Sequence, residues 1–273
     1  MESKLIRTYI FDLDGVIYRG DAPQPSAVET VKRLRSTRKQ VYFLTNNSTQ
    51  TRKQYADKLT RMGIPTDTAH VMTSSYATAL WFAENGLTDR KAFVVGEVGI
   101  FEELQEVGIE TLESIEGERA DFVVVGLDRS FTYEKLRIAQ QAIFNGAKLI
   151  ATNRDPTFPL EGGALYPGGG SLVSAIETAA GVESLLIGKP ETYSLERILN
   201  LSGTPPDEAM MIGDRLDTDV MVGNRAGVHT ALVLGGVTSR YEALQATGEQ
   251  KPEIVIERLV DLVSGGRVLS VEC

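Results

Sequence analysis

Short apolar segments recur along this chain at Tyr9–Phe11, Val41–Leu44, Val71–Thr73, Ala92–Val95, Phe122–Val125, Leu149–Ala151, Leu185–Ile187, Met210–Ile212 and Thr230–Leu234, with stretches of helical spacing between them. Segments this brief and this uniformly apolar suit strands buried on both faces, which is the condition of a parallel sheet. Parallel neighbours need a crossover, usually a helix. The alternation therefore predicts an α/β fold with a doubly wound parallel sheet. Two of the expected helices are Ala27–Arg38, opened by a Ser26/Glu29 capping box, and Thr132–Asn145, closed before Gly146.

At 273 residues the chain can form one large or two medium domains. No repeat or strong linker divides it, although Glu161–Gly170 is glycine-rich enough for a flexible loop. Polar motifs cluster near the start and again after about Gly188, so the middle reads as an insertion. The 28 basic and 37 acidic residues give a net charge of -9, which argues against a nucleic acid polymer as partner. The same charge repels phosphorylated metabolites, so a site for them must carry its own local positive charge or metal. No apolar run approaches the length of a membrane span and no signal-peptide core precedes Ile10, so a soluble protein with no membrane partner is expected. Cys273 is the only cysteine, which excludes an intramolecular disulfide and a cysteine zinc site and fits a cytoplasmic location.

Four strand ends carry the chemistry. Tyr9-Ile-Phe runs into Asp12-Leu-Asp14-Gly15. Side chains at i and i+2 share a face while the chain stays extended, so both acids can face one pocket at a strand's carboxyl end, where open α/β sheets bind ligands. A divalent cation would relieve their repulsion. Alone, the string also reads as an Asp-Gly turn. Val41–Leu44 leads into Thr45-Asn46-Asn47-Ser48, whose hydroxyl, amide and backbone donors suit phosphate oxygens but equally suit a helix start. Lys189, between Gly188 and Pro190, can neutralise a carboxylate and an incoming phosphate, although the segment is not a Walker A loop and a lone lysine there is usually solvated. Met210–Ile212 ends in Gly213-Asp214-Arg-Leu-Asp217-Thr-Asp219, acids that can ligate a metal or merely favour a helix N-terminus; EF-hand spacing is lacking.

Taken together, in this order, the motifs resemble the haloacid dehalogenase (HAD) superfamily. The likeness narrows to its subfamily IIA, the branch of nitrophenyl phosphatases, NagD-type nucleotidases, pyridoxal phosphate phosphatases and phosphoglycolate phosphatases. Asp12-Leu-Asp-Gly-Val-Ile-Tyr-Arg-Gly20, Thr45–Ser48, Gly188–Pro190 and Gly213–Asp219 carry it, and Phe122–Asp128, Ala151–Asp155 and Pro167–Ser171 extend it through the middle.

The resemblance implies a Rossmann-like core at about 1–79 and 181–273 with an inserted α/β cap of the C2 type at about 80–180. It implies a Mg2+-dependent phosphatase acting on a small soluble phosphoester through an aspartyl-phosphate intermediate. Asp12 would be the nucleophile and Asp14 the acid that protonates the leaving group and then activates water. Mg2+ would be held by Asp12 and Asp214 through carboxylates and by Asp14 through its backbone carbonyl, with Asp219 supporting that shell through water or Lys189. Thr45, Asn46, Asn47 and Lys189 would bind the phosphoryl group. The segment Asn153–Glu161 looks like the family's substrate-facing loop; Phe158 stands where vertebrate pyridoxal phosphate phosphatases have histidine, and packing within the cap is its other reading. A homodimer through the cap is compatible with the likeness.

His70, His229, Tyr76 and Trp81 are expected to be structural, and Gly96-Glu-Val-Gly99 lacks dinucleotide-fingerprint spacing. The competing functions are a phosphotransferase or phosphomutase on the same motifs, a non-catalytic phosphometabolite-binding protein, which predicts loss of an acid, and a nicotinamide dehydrogenase, whose fingerprint is missing.

Overall fold

The structure, a computed structural model, describes residues 6–159, 165–264 and 269–270, with 158–159 and 269–270 by backbone alone. Cys273 and residues 161–164 of the expected loop lie outside the described residues. The chain divides into two compact units: Met1–Thr45, Ala56–Met72 and Lys189–Cys273 form the first, Asn46–Tyr55 and Thr73–Gly188 the second. The family resemblance implies borders near residues 79 and 180. Helix Ser74–Glu84 runs through the former, and strand Leu185–Leu186, beyond the latter, joins the sheet of the second unit.

The first unit is built on a seven-stranded sheet in the order Leu269–Ser270, Ile254–Ile256, His229–Val233, Ala209–Gly213, Thr8–Phe11, Gln40–Thr45, Val71–Thr73. Leu269–Ser270 is antiparallel to its neighbour, while the described pairings from Ile254–Ile256 through Gln40–Thr45 are parallel. Thr8–Phe11 is an interior strand beside the central Ala209–Gly213, with Phe11 level with Ile212 on one side and Phe43 on the other. After this strand the chain proceeds to one side of the sheet, and after Ala209–Gly213 to the other. The carboxyl ends of these two neighbours therefore flank a topological switch point, the crevice where open α/β sheets bind ligands. Helices Ala27–Ser36 and Tyr193–Ser202 pack on Gln40–Thr45. Ile10 and Phe11 are fully buried, as strands covered on both faces require.

The second unit holds a five-stranded parallel sheet ordered Leu185–Leu186, Lys148–Ala151, Phe122–Val125, Lys91–Val95, Glu110–Leu112. Its core gathers Val123, Val125, Ile138, Ala142, Val173 and Ile176 from strands and covering helices. A hairpin of Thr157–Pro159 and Leu165–Pro167 places the Phe158 backbone opposite Tyr166, while the Phe158 side chain lies outside the described residues. The expected loop at Glu161–Gly170 thus becomes, where described, a strand and the start of helix Gly169–Ala180.

Every apolar segment read from the sequence overlaps a strand, with Ile187 and Leu234 just past the ends of theirs. A second local expectation, at Ser26, also fails. Ser26 has φ 65° and its side chain makes no cap hydrogen bond, so the capping box with Glu29 does not form. A residue in the left-handed region cannot aim its side chain as an extended N-cap does. The Ser26 hydroxyl instead accepts from the Val260 N–H at 3.3 Å. Thr132, by contrast, is extended and accepts from the Lys135 N–H at 3.2 Å.

Phe82, fully buried, meets Phe122 edge to face with ring centroids 4.8 Å apart. Phe82→Ala should destabilise this unit by about 3–5 kcal/mol, since a buried phenyl leaves a cavity that its neighbours fill only in part. Urea unfolding followed by circular dichroism measures the loss.

Candidate active site

Strand Thr8–Phe11 delivers Asp12 to the switch point, where its backbone N–H continues the ladder to the Ile212 carbonyl at 2.8 Å. The neighbouring strand ends at Gly213, and Asp214 follows it. A single wide helical turn, Leu216–Val220, then brings Asp219 back toward the strand tip. Ligand oxygens of Asp12, Asp214 and Asp219 all lie within 4.8 Å of one another, and all three residues are buried.

Lys189 enters the same place from far along the chain. Its Nζ donates to Asp12 Oδ1 at 2.6 Å and to Asp219 Oδ1 at 2.6 Å, and reaches the Leu44 carbonyl at 3.4 Å. The second Asp219 oxygen accepts the backbone N–H groups of Asp214 and Arg215, each at 3.2 Å. Asp219 is thereby saturated and holds the lysine. Asp214 Oδ2 accepts from the Val237 N–H at 2.9 Å. Among the described residues no hydrogen bond reaches Asp12 Oδ2 or Asp214 Oδ1.

Fully ionised, three carboxylates against one ammonium would leave two negative charges in a buried place. Burial is the main force pushing the Asp12 carboxyl well above its usual range, reinforced by Asp219 and Asp214 and opposed by Lys189. Asp214 is pushed from 3.8 up to about 7, chiefly by burial and then by Asp219. Burial works against the Lys189 ammonium, but the Asp12 and Asp219 carboxylates outweigh it and raise its pKa. An all-oxygen donor set with two surplus negative charges and two carboxylate oxygens open fits a hard divalent cation such as Mg2+ or Ca2+.

Glycines supply the space for this packing. A Cβ on Gly15 would lie 2.4 Å from Asp214 Oδ2, one on Gly236 1.9 Å from the same atom, and one on Gly213 2.1 Å from the Asp219 Cβ. Gly15 also has φ +91°. Gly213 belongs to the motif read from the sequence, whereas Gly236 and Val237 are not among the expected site residues; the Gly235-Gly236 pair after a strand is the available signal.

Of the other expected residues, Asp14 lies half-buried in a bridge with Tyr18, and Thr45 is buried at the end of the strand beside Thr8–Phe11. Asn46 and Asn47 group with the second unit. Asn46 donates to Asp155 Oδ1 at 3.0 Å, and its carbonyl accepts from Ser74 Oγ at 2.6 Å and Asn153 Nδ2 at 3.0 Å. Asn47 closes a local turn by accepting from the Thr49 N–H and hydroxyl at 3.1 and 2.8 Å. His70 pairs with Asp67 and His229 with Glu253, structural contacts at the surface. The Arg52 guanidinium stacks 3.3 Å above the Tyr76 ring.

Sheet order and a lysine-braced acid centre at the switch point define a Rossmann-like α/β protein of the HAD type. The chain belongs to the haloacid dehalogenase-like hydrolase family, whose model matches residues 9–110, while an HAD-hydrolase-like model matches residues 186–262. The chain is 41% identical over 260 residues to the 5'-nucleotidase YutF of Bacillus subtilis strain 168, covering 95% of this chain and 98% of that one. A p-nitrophenyl phosphatase from Archaeoglobus fulgidus superposes with a TM-score of 0.87 at 34% identity, covering 96% of this chain and 99% of its own. A Mycobacterium tuberculosis glycerol phosphate phosphatase solved in complex with magnesium gives a TM-score of 0.87 at 32% identity, covering 95% and 77%.

Because the folded-state pKa of Asp214 lies above its unfolded value, the folded metal-free chain holds more protons than the unfolded one between about pH 4 and pH 7. That difference makes stability fall as pH rises through this window. In EDTA, Asp214→Asn should flatten part of the decline in urea midpoint from about pH 5 to about pH 7. Parallel slopes for the two proteins would contradict it.

Proposed function

We propose that the chain is a Mg2+-dependent phosphatase that hydrolyses small soluble phosphomonoesters through an aspartyl-phosphate on Asp12. The observation that carries this reading is the Lys189 ammonium 2.6 Å from both Asp12 and Asp219, with Asp214 in the same buried carboxylate group. The catalogue of related phosphatases supports it: their names include a nucleotidase, phosphoglycolate phosphatases and glycerol-3-phosphate phosphatases.

In this mechanism Asp12 attacks phosphorus, the bond from phosphorus to the leaving oxygen breaks, and Asp14 gives its proton to that oxygen. Asp14, now ionised, next takes a proton from water. The water oxygen bonds to phosphorus, the bond from Asp12 to phosphorus breaks, and phosphate departs with the Asp12 carboxylate restored. Lys189 favours the ionised form of Asp12 and positions it, and with Thr45, Asn46 and Asn47 it binds the phosphoryl oxygens. Asp12, Asp214 and the Asp14 carbonyl would hold Mg2+, with Asp219 fixing Lys189. Bound there, the dication offsets charge on the carboxylates and the phosphoryl group.

The first unit serves as the catalytic core and the second as the cap that carries the specificity loop, Phe158 included. A homodimer through the cap belongs to the same reading. Among the described residues no helix is long and apolar enough to cross a membrane, and a cytoplasmic location is proposed with a lone cysteine in support.

Two variants test the roles. Asp12→Asn should abolish turnover of nitrophenyl phosphate while leaving the circular dichroism spectrum unchanged, because an amide is a poor nucleophile. Asp14→Asn should lower kcat by about 100- to 10,000-fold, the usual contribution of a general acid and base. Exhaustive chelation should silence the wild-type enzyme and Mg2+ should restore it; full activity in EDTA would refute the metal requirement. A panel of nucleotides, sugar phosphates, phosphoglycolate, glycerol phosphate and pyridoxal phosphate, ranked by kcat/KM, identifies the substrate.

A further inference from the structure

Asp214 is clamped by backbone, and that backbone is itself held by two side chains outside the acid cluster. The carboxylate sits between Gly15 and Gly236, so close to each that neither position has room for a Cβ. Two glycine segments, one after the first strand and one after His229–Val233, thus form walls whose separation sets where Asp214 Oδ2 lies. Glycine walls lack side chains of their own to lock them, so other residues must fix them. The Gln24 amide donates to the Gly15 carbonyl at 3.0 Å, and the Arg19 guanidinium donates to the Gly235 carbonyl at 2.9 Å.

Both donors come from the short hairpin Tyr18–Arg19 and Ala22–Pro23 and the residue just after it. The hairpin is anchored by the Lys58 ammonium, 3.9 Å from the Tyr18 ring centroid, and by the Gly15 N–H donating to the Tyr18 carbonyl at 2.8 Å. Arg19 therefore ties the loop after one strand to the loop after another, 216 residues apart in sequence.

We propose that Arg19 and Gln24 are positioning residues for Asp214: by fixing the two glycine walls they set the carboxylate geometry on which divalent-cation affinity depends. The inference rests on the reading that the acid cluster holds a dication. It is a role in orienting a ligand, since neither side chain reaches the carboxylates. Supports of this kind, which orient a metal ligand without touching the metal, typically change affinity by about 10- to 100-fold.

The probe is Mn2+, whose free ion is counted by electron paramagnetic resonance during titration of the full-length protein without substrate. Arg19→Met keeps the stem and removes the donor; Gln24→Met does the same at the other wall. Each variant should raise the Mn2+ Kd by about 10-fold, with its urea midpoint in EDTA unchanged. Arg19→Lys, which retains a donor, should recover part of the lost affinity. Saturating metal should bring kcat of the Met variants back toward wild type, placing the defect in metal occupancy. Mn2+ Kd values within about 2-fold of wild type, or losses that track a lowered urea midpoint in EDTA, would overturn the proposal. A wild-type chain that fails to bind Mn2+ would overturn the dication reading itself, whereas tight binding without phosphatase activity would defeat the proposed reaction and leave the positioning role standing.

Discussion

The Lys189 ammonium, 2.6 Å from both Asp12 and Asp219, ties the chain's re-entry into the first unit to the tips of that unit's two central strands. Carboxylates buried together repel one another and lose hydration, and each effect favours their neutral forms. One buried cation keeps part of that charge in place. It does not neutralise all of it, and the surplus suits the centre to a hard dication. Asp219 shows how narrow the arrangement is: one oxygen holds the lysine while the other accepts two backbone N–H groups. The apolar strands, the switch point and the glycines can be understood as the scaffold for this charge balance.

Glycine contributes by absence. Gly213, Gly15 and Gly236 allow backbone to approach Asp219 and Asp214 at distances that a side chain would forbid. Close approach excludes water, which strengthens the electrostatics that the carboxylates and Lys189 exert on one another. It also makes the carboxylate positions depend on loops, and loops need supports such as Arg19 and Gln24.

Much of this was legible from residue order. Continuous apolar runs such as Phe122–Val125 cannot serve an open sheet face, so they announced buried parallel strands. The hydrophobic signal is weak at Glu110–Leu112, whereas Ile254–Ile256 is apolar throughout, and neither strand is among the segments expected from the sequence. At Ser26 a sound local rule lost to tertiary context, because the left-handed backbone and the nearby Val260 N–H took the hydroxyl away from helix capping. Asp12, Lys189, Asp214 and Asp219 are each ambiguous alone, as a turn, a solvated lysine and a helix start; their order along the chain, and the family resemblance that order carries, made them legible.

By itself the sequence determined the element types, the parallel class of the sheets and the set of ionisable groups at strand ends, since hydrophobic period and side-chain chemistry are local properties. Only the tertiary structure decided which of those groups meet. Asp12 and Lys189 are separated by 177 residues, and nothing in their neighbourhoods sets a distance between them. Strand order does, by laying Ala209–Gly213 beside Thr8–Phe11 and so bringing both acidic tips to one crevice. Contacts of such long range are fixed by the burial of whole sheets, which is why the oxygens that stay open, and the glycines that make room for them, emerge only from the folded chain.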